Sequence, residues 1–246
     1  MLAELKASIR AQDFHPGKFG LLVNPFYFAR KELDRQIADL APNVRGRLLD
    51  VGCGTKPYRR YFQAEEYIGL EIEGRKKDAD KVYDGKVIPF ENESFDSVIS
   101  IEVLEHVFNP DEFLSEINRV LKKGGLLLLT VPFVWDEHEQ PFDYARYSSF
   151  GLYHLLENHG FEIIEHRKTL DDARVIFQLI NAYLYKKTLT HSRKLNFLFT
   201  LVLMAPFNII GELAGKLLPR NGDLYLDNIV LARKIIPAGT MTNKSE

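Results

Sequence analysis

One cysteine, Cys53, stands among 246 residues, so no internal disulfide can form and a reducing compartment fits. Neither sign of charge is in excess. Against 34 Asp and Glu there are 32 Lys and Arg, a net charge of −2, and no global attraction to nucleic acid follows, so no nucleic-acid partner is expected. The opening MLAELKASIRAQ is charged and lacks an apolar core followed by a cleavage site, so it does not read as a secretory signal. No internal repeat or low-complexity tract appears. The expectation is a cytoplasmic chain of one domain with additions, and a hydrophobic content of 46% is enough for its core.

What is present is organised around Arg47 to Tyr58, RLLDVGCGTKPY. Leu48, Leu49 and Val51 form the apolar run of a buried strand, and Gly52-Cys53-Gly54 turns the chain where that strand ends. Two glycines permit a tight turn and let a ligand approach the backbone with no Cβ in the way. A helix is expected soon after, with Thr55 as its cap and Pro57 in its first turn. The second strand, YIGLEIE (67–73), ends in Glu71, 19 residues after Gly52. At that spacing a carboxylate can accept hydrogen bonds from both hydroxyls of a ribose; Glu73 is a nearby rival. Arg75, Lys76 and Lys77 read as a solvated turn.

Further segments follow in strand and helix periods. FDSVISIEVLEHV (95–107) is a strand running into a turn and helix. Ile101 and Glu102 fall at its carboxyl end, where open α/β sheets place their ligands. Glu102 and His106, four apart, could share a helix face, with His106 approaching a substrate or merely orienting a loop. With no third ligand at useful spacing and no second cysteine, no metal site is expected. Residues 111–120 form an amphipathic helix that Lys122-Lys123-Gly124-Gly125 should end as a glycine cap, and LLLLTVP (126–132) is a strand buried on both faces.

With these segments in hand, the chain resembles the class I S-adenosylmethionine-dependent methyltransferases, most closely their type 11 branch, over roughly residues 30–168 and again at the last strand. The resemblance implies a Rossmann-like sheet of seven mostly parallel strands, with the last strand, LYLDNIVLARK (224–234), antiparallel between the fifth and sixth. It implies S-adenosyl-L-methionine as cofactor, with Asp50 placing its amino-acid portion, Asp84 and Gly85 beside its adenine, and backbone near Ile101 and Glu102 facing its methionine end. Val87, Ile88 and Phe90 either line an adenine slot or belong to the core. Pro57 stands where a dinucleotide fingerprint has its third glycine, which opposes a nicotinamide oxidoreductase.

PFVWDEHEQPFDYARYSSFGLYHLL (132–156) follows a central strand, so it falls at the ligand edge. A similar HEQPFDYxRYS stretch occurs in type 11 members associated with glycan or cell-envelope pathways. It is the expected acceptor site, with His138 removing a proton from a hydroxyl and Arg146 holding a carboxylate or phosphate. The competing reading is an Asp143–Arg146 ion pair that only fixes the loop. Residues 1–29 read as an irregular lid, or as packing by Phe26, Tyr27 and Phe28; residues 30–234 form the methyltransferase domain with a helical insertion at 170–222; residues 235–246 form a mobile tail. LNFLFTLVLMAPFNIIG (195–211) carries no charge. It is buried, sits at a subunit interface in a homo-oligomer, spans a membrane, or lies at the inner face of one, with Lys186, Lys187, Arg193 and Lys194 to meet anionic headgroups. The expected function is methyl transfer to a small-molecule, saccharide or lipid-linked acceptor. Alternatives are a non-catalytic scaffold of the same fold and a membrane-associated interaction protein.

Overall fold

The computed structural model describes residues 12–74 and 78–235. The charged opening, residues 75–77 and nearly all of the tail lie outside the described residues. Helices α1 (Gly20–Val23) and α2 (Tyr27–Leu40) precede strands β1 (Arg47–Val51), β2 (Glu66–Ile72), β3 (Lys81–Tyr83) and β4 (Phe95–Ile101). Then come α3 (Pro110–Val120), β5 (Leu121–Pro132), α4 (Ser149–Asn158) and β6 (Phe161–Lys168). The insertion supplies α5 (Arg174–Thr188), α6 (Arg193–Phe199) and α7 (Ala205–Leu217), and β7 (Asp227–Lys234) closes the sheet. The strand order is β3-β2-β1-β4-β5-β7-β6, with β7 antiparallel to both neighbours, as the resemblance implied.

Alternation along the strands splits the core into two layers. Leu49 and Val51 face α3 and α4, where Phe113, Leu114, Ile117, Leu152 and Leu156 cover them. Leu48 faces the other way, toward Leu33, Ile37 and Leu40 of α2. Both layers are sealed, and each fully buried Leu, Ile or Phe contributes about 1.5–3 kcal/mol. Asp50 shares the face of Leu48, so its carboxylate rises on the α2 side at the end of β1.

Three local expectations are corrected. No α-helix follows the glycine turn, and Thr55 caps nothing; the crossover to β2 makes only a 3₁₀ turn, Arg59–Tyr61. Lys56 adopts φ +53° and Pro57 follows it, so the chain bends again before a helix can nucleate. Lys122 to Gly125 do not cap α3, because β5 starts directly at Leu121, and the glycines sit where its register with β4 slips between Phe95 and Ser97. Tyr27 and Phe28 belong to α2 and are buried, so the opening segment is not irregular there.

The insertion is anchored by polar groups. Asn208, fully buried in α7, donates to the carbonyls of Leu21 and Asn24 at 3.0 Å each and accepts from the Asn181 amide at 2.9 Å. Gly211 lets the helix approach Phe28, whose ring would lie 2.7 Å from an added Cβ. The buried stripe is thus Thr200, Met204, Ala205, Asn208 and Gly211, small or polar apart from Met204, while Leu201, Val202, Ile209, Ile210 and Leu213 face outward. Pro206 lacks the amide that would bond four residues back, and the preceding Thr200–Met204 widens to a π-helical turn. Asn208→Ala should cost about 2–3 kcal/mol in urea unfolding, because it leaves two buried carbonyls unpaired. Leu201→Ala, on the outer face, should change stability by less than about 0.5 kcal/mol.

Candidate functional site

A cavity of about 410 Å³ opens at the carboxyl edge of the sheet between the glycine turn, the end of β4 and the start of α2. The turn is latched to β2. The amides of Gly52 and Cys53 both donate to the Leu70 carbonyl, at 2.9 and 3.2 Å, and the Gly54 amide donates to Glu71 Oε2 at 3.0 Å. Gly52 holds φ +76°, and a Cβ there would meet Val103 at 2.4 Å. Gly54 holds φ +50° with open space where a Cβ would point, so its bare backbone forms cavity wall.

Carboxylates crowd this space. Asp50 is buried and accepts from the Tyr67 hydroxyl; burial pushes its carboxyl up to about 7. Glu102 lines the wall at φ +53°, its amide donating to Thr130 Oγ1 at 3.0 Å and its Oε1 accepting from that hydroxyl at 2.7 Å. Asp227 lines the opposite side and accepts from the Thr169 hydroxyl at 2.7 Å. Burial raises Glu102 above the usual carboxylate range, and burial together with Glu102 raises Asp227 well above it. Arg30 of α2 brings a guanidinium to the same wall, stacked over Phe14 at 5.1 Å. Cys53 also lines it, but burial pushes its thiol up to about 12, which leaves it inert.

The loop between β5 and α4 closes the far end. Arg146 does not face the cavity, which corrects its expected role in holding an acceptor anion. Its guanidinium is spent inside the loop, on both Asp143 oxygens at 2.6 and 2.7 Å and on the carbonyls of Ala145 and Asp136 at 2.7 and 2.9 Å. The ion-pair reading is the one observed, and Arg146 acts as a positioning residue. Asp143, held down to about 2 by that guanidinium, also accepts the His138 amide at 2.8 Å. The amides of Tyr144 and Ala145 donate to the Glu105 carbonyl at 2.8 and 3.3 Å. The loop is therefore clamped so that the His138 ring meets His106 edge to face at 4.7 Å, both on the cavity wall. Burial lowers His138, which is neutral at pH 7.

Of the residues singled out in the sequence, Asp50, Gly52, Cys53, Gly54, Ile101, Glu102, His106 and His138 line one cavity. Glu71 stands just behind Gly54, buried, with its oxygens on the Gly54 and Ile72 amides. Asp84 and Gly85 do not reach the cavity. Both are exposed, and Asp84 accepts from Lys86 and Val87 in a local turn at 2.8 and 3.2 Å. The physical reason is that β3 is a three-residue edge strand, after which the chain swings to the opposite layer: the Ile88 amide reaches Glu116 at 2.8 Å, and Ile88 joins the α3 core. Phe90 packs on Phe95, and Val87 is exposed, so no adenine slot forms there. Glu102 and His106 share no helix face, since only a 3₁₀ turn, Leu104–His106, separates strand from loop. Sequence reasoning missed Arg30, Asp227 and Glu105. Glu105 was visible beside His106, but its burial depends on the distant loop.

Asp143→Asn should loosen the loop and cost about 3 kcal/mol at pH 7, because Arg146 loses its charged partner. The Asp143 carboxylate has a depressed pKa, so its stabilisation is present above pH ~4 and lost toward pH ~2. Thermal melts from pH 5 to 2 should therefore fall more steeply for the native chain than for the variant.

A family described as "Methyltransferase domain" matches residues 26–166, more than half of the chain. Over 164 residues the chain is 30% identical to a Mycolicibacterium smegmatis protein named "Probable S-adenosylmethionine-dependent methyltransferase", covering 58% of this chain and 62% of that protein. A ubiquinone biosynthesis O-methyltransferase of Cereibacter sphaeroides is 32% identical over 114 residues, 39% of this chain and 45% of that one. Both alignments thus span less than two thirds of the relative's length. Among solved structures, phosphoethanolamine N-methyltransferase 2 of Haemonchus contortus, in complex with S-adenosyl-L-methionine, superposes with a TM-score of 0.53 at 20% identity, over 92% of this chain and 59% of that one, a likeness of fold. The matched family model, carried on this strand order and this glycine turn, places the chain in the class I S-adenosylmethionine-dependent methyltransferase family.

Proposed function

We propose that the chain transfers a methyl group from S-adenosyl-L-methionine to a small-molecule, saccharide or lipid-linked acceptor at the histidine end of the cavity. The observation that carries this reading is the single cavity joining the glycine turn, the end of β4 and the His106–His138 pair. The residues fit the cofactor. Gly54 leaves bare backbone for a nucleoside, and the Glu71 carboxylate, with about four acceptor sites and two amide donors, keeps capacity for ribose hydroxyls. Arg30 suits a carboxylate, and Asp50 and Glu102 suit the positive groups of the same ligand. When bound, the cofactor supplies an electrophilic methyl group on a positively charged sulfur. Phe26 and Trp135, with rings 5.9 Å apart, narrow the cavity and exclude water. With its proton on Nδ1, toward the Asp136 carbonyl at 3.2 Å, His138 has Nε2 free to take one from an acceptor hydroxyl.

Calorimetry with S-adenosyl-L-methionine should give binding near micromolar, roughly −8 kcal/mol, weakened by Glu71→Ala. Below pH ~7 the free protein holds a proton on Asp50 that a cationic ligand displaces. Binding should then release a proton to buffer and tighten as pH rises toward 7, and Asp50→Asn should abolish the proton release. No binding of this ligand or of S-adenosylhomocysteine to the native chain would refute the reading.

The localisation we propose is peripheral to an anionic membrane surface. The helical run Arg193–Leu217 is long and apolar enough to span, yet one stripe packs on the domain and only 28% of its most apolar window is buried. That leaves an apolar outer face bordered by exposed Lys187, Arg193 and Lys194; Lys186 is instead paired with Asp136 at 2.8 Å. The native chain should sediment with vesicles containing phosphatidylglycerol, and Leu201→Asp/Val202→Asp should stay in solution. A native chain that ignores vesicles but forms a dimer broken by the same substitutions would assign the face to a subunit interface.

A further inference from the structure

Glu105 has no counterpart in the function proposed so far. Its side chain is completely buried, and no hydrogen bond reaches either carboxylate oxygen. An unpaired carboxylate removed from water is costly, so a buried one is normally compensated by a cation or by a donor. None of the described cations lies within ion-pair distance of it except His106, whose Nε2 is 3.7 Å from Glu105 Oε1.

Two imidazoles converge on this carboxylate. Glu105, His106 and His138 each offer one ligand-type atom, and the three atoms lie within 4.8 Å of one another. The outer contacts of both rings select the tautomer a ligand needs. His106 Nδ1 lies 2.6 Å from the Phe142 carbonyl, which can only accept, so the proton sits on Nδ1 and the Nε2 lone pair points back toward Glu105. His138 Nδ1 is ringed by the Asp136 carbonyl at 3.2 Å, Asp143 Oδ2 at 3.3 Å and Arg146 Nη2 at 3.5 Å; with its proton on Nδ1, toward the two acceptors, its Nε2 lone pair is free in the same way. Backbone carbonyls and a carboxylate behind ligand histidines are the usual outer shell of a metal site. Arg146, by fixing Asp143, fixes this shell.

We propose that Glu105, His106 and His138 bind a divalent cation of the first transition row at the acceptor end of the cavity. Two imidazoles and one carboxylate suit Zn²⁺, Mn²⁺ or Fe²⁺ better than Mg²⁺, which prefers oxygen ligands. Bonds of ~2.0–2.2 Å place ligand atoms about 3–3.5 Å apart, so the widest pair must close by about 1.3–1.8 Å, a rotation within reach of two histidines on a turn and a loop. The remaining coordination positions face the cavity that His106 and His138 line. His138 serves there as a ligand, in place of the free base described above, and an acceptor oxygen on the cation would be acidified by it. The site itself does not depend on the methyl-transfer reading.

The test uses the whole chain, stripped with a chelator and titrated with Zn²⁺, Mn²⁺ and Mg²⁺, with Co²⁺ as an optical probe. The expected result is one equivalent of Zn²⁺ or Mn²⁺ per chain, little Mg²⁺ binding, and a Co²⁺ visible band that signals nitrogen ligation. His138→Ala and the near-isosteric Glu105→Gln should each weaken Zn²⁺ binding at least tenfold, with an unchanged far-ultraviolet circular dichroism spectrum as the check on folding. His138→Ala carries the test by itself if the buried Glu105→Gln does not fold. Absence of stoichiometric metal in the native chain, or binding unchanged in His138→Ala, would overturn the site. Cofactor binding measured in the same samples separates that failure from failure of the methyltransferase reading.

Discussion

The hydrogen bonds that tie the Gly52–Gly54 turn to the end of β2 are the constraint on which the site depends. Two amides share the Leu70 carbonyl, and a third takes the Glu71 carboxylate. Because these donors are spent on the neighbouring strand, the turn keeps one shape, and Gly54 presents open backbone to the cavity. The close approach of Val103 to Gly52 carries the same constraint to the end of β4, where Glu102 enters the left-handed region. A side chain at either glycine would push β1 and β4 apart or fill the cavity.

Around that turn the domain concentrates negative charge in a dry place. Asp50, Glu105 and Asp227 are buried and Glu102 is half-buried, and desolvation raises each of them. Arg30 alone among the described lining residues brings a permanent positive charge. Such a wall is costly when empty and favourable for a cationic ligand, which ties stability and binding to the same groups. The loop that completes the cavity is built on the opposite plan. Within it Asp143 pairs with Arg146, and its Asp136 pairs with Lys186 of α5, so the loop is held from inside and from the insertion and its histidines are aimed.

The insertion reverses the usual amphipathic logic. Apart from Met204 its inner stripe is small or polar, held by the Asn181–Asn208 contact and by Gly211 against Phe28, while its leucines and isoleucines face out. Packing small residues inward allows close approach, and buried amides specify one register. The insertion is joined to the cavity: Phe26 on the cavity wall stacks edge-on against Tyr185 of α5 at 4.9 Å.

The strands, the glycine turn and eight residues of the cavity wall were legible in the residues alone, with the strand order following from the resemblance, because these rest on local periodicity and on residues whose chemistry is spent where they stand. Apolar runs such as LLLLTVP have one low-energy placement, and Gly-Cys-Gly after a strand has few alternatives. Only the tertiary structure decided the rest. In sequence Arg146 could hold an acceptor anion or pair with Asp143, three residues away, and the fold pairs it with Asp143. Asp84 looked adjacent and is turned aside by a short edge strand. Glu105, His106 and His138 are 33 residues apart at their extremes and meet only because Tyr144 and Ala145 clamp the loop onto the Glu105 carbonyl. Contacts of that kind depend on where a loop lands, and no local pattern of residue types encodes the landing point.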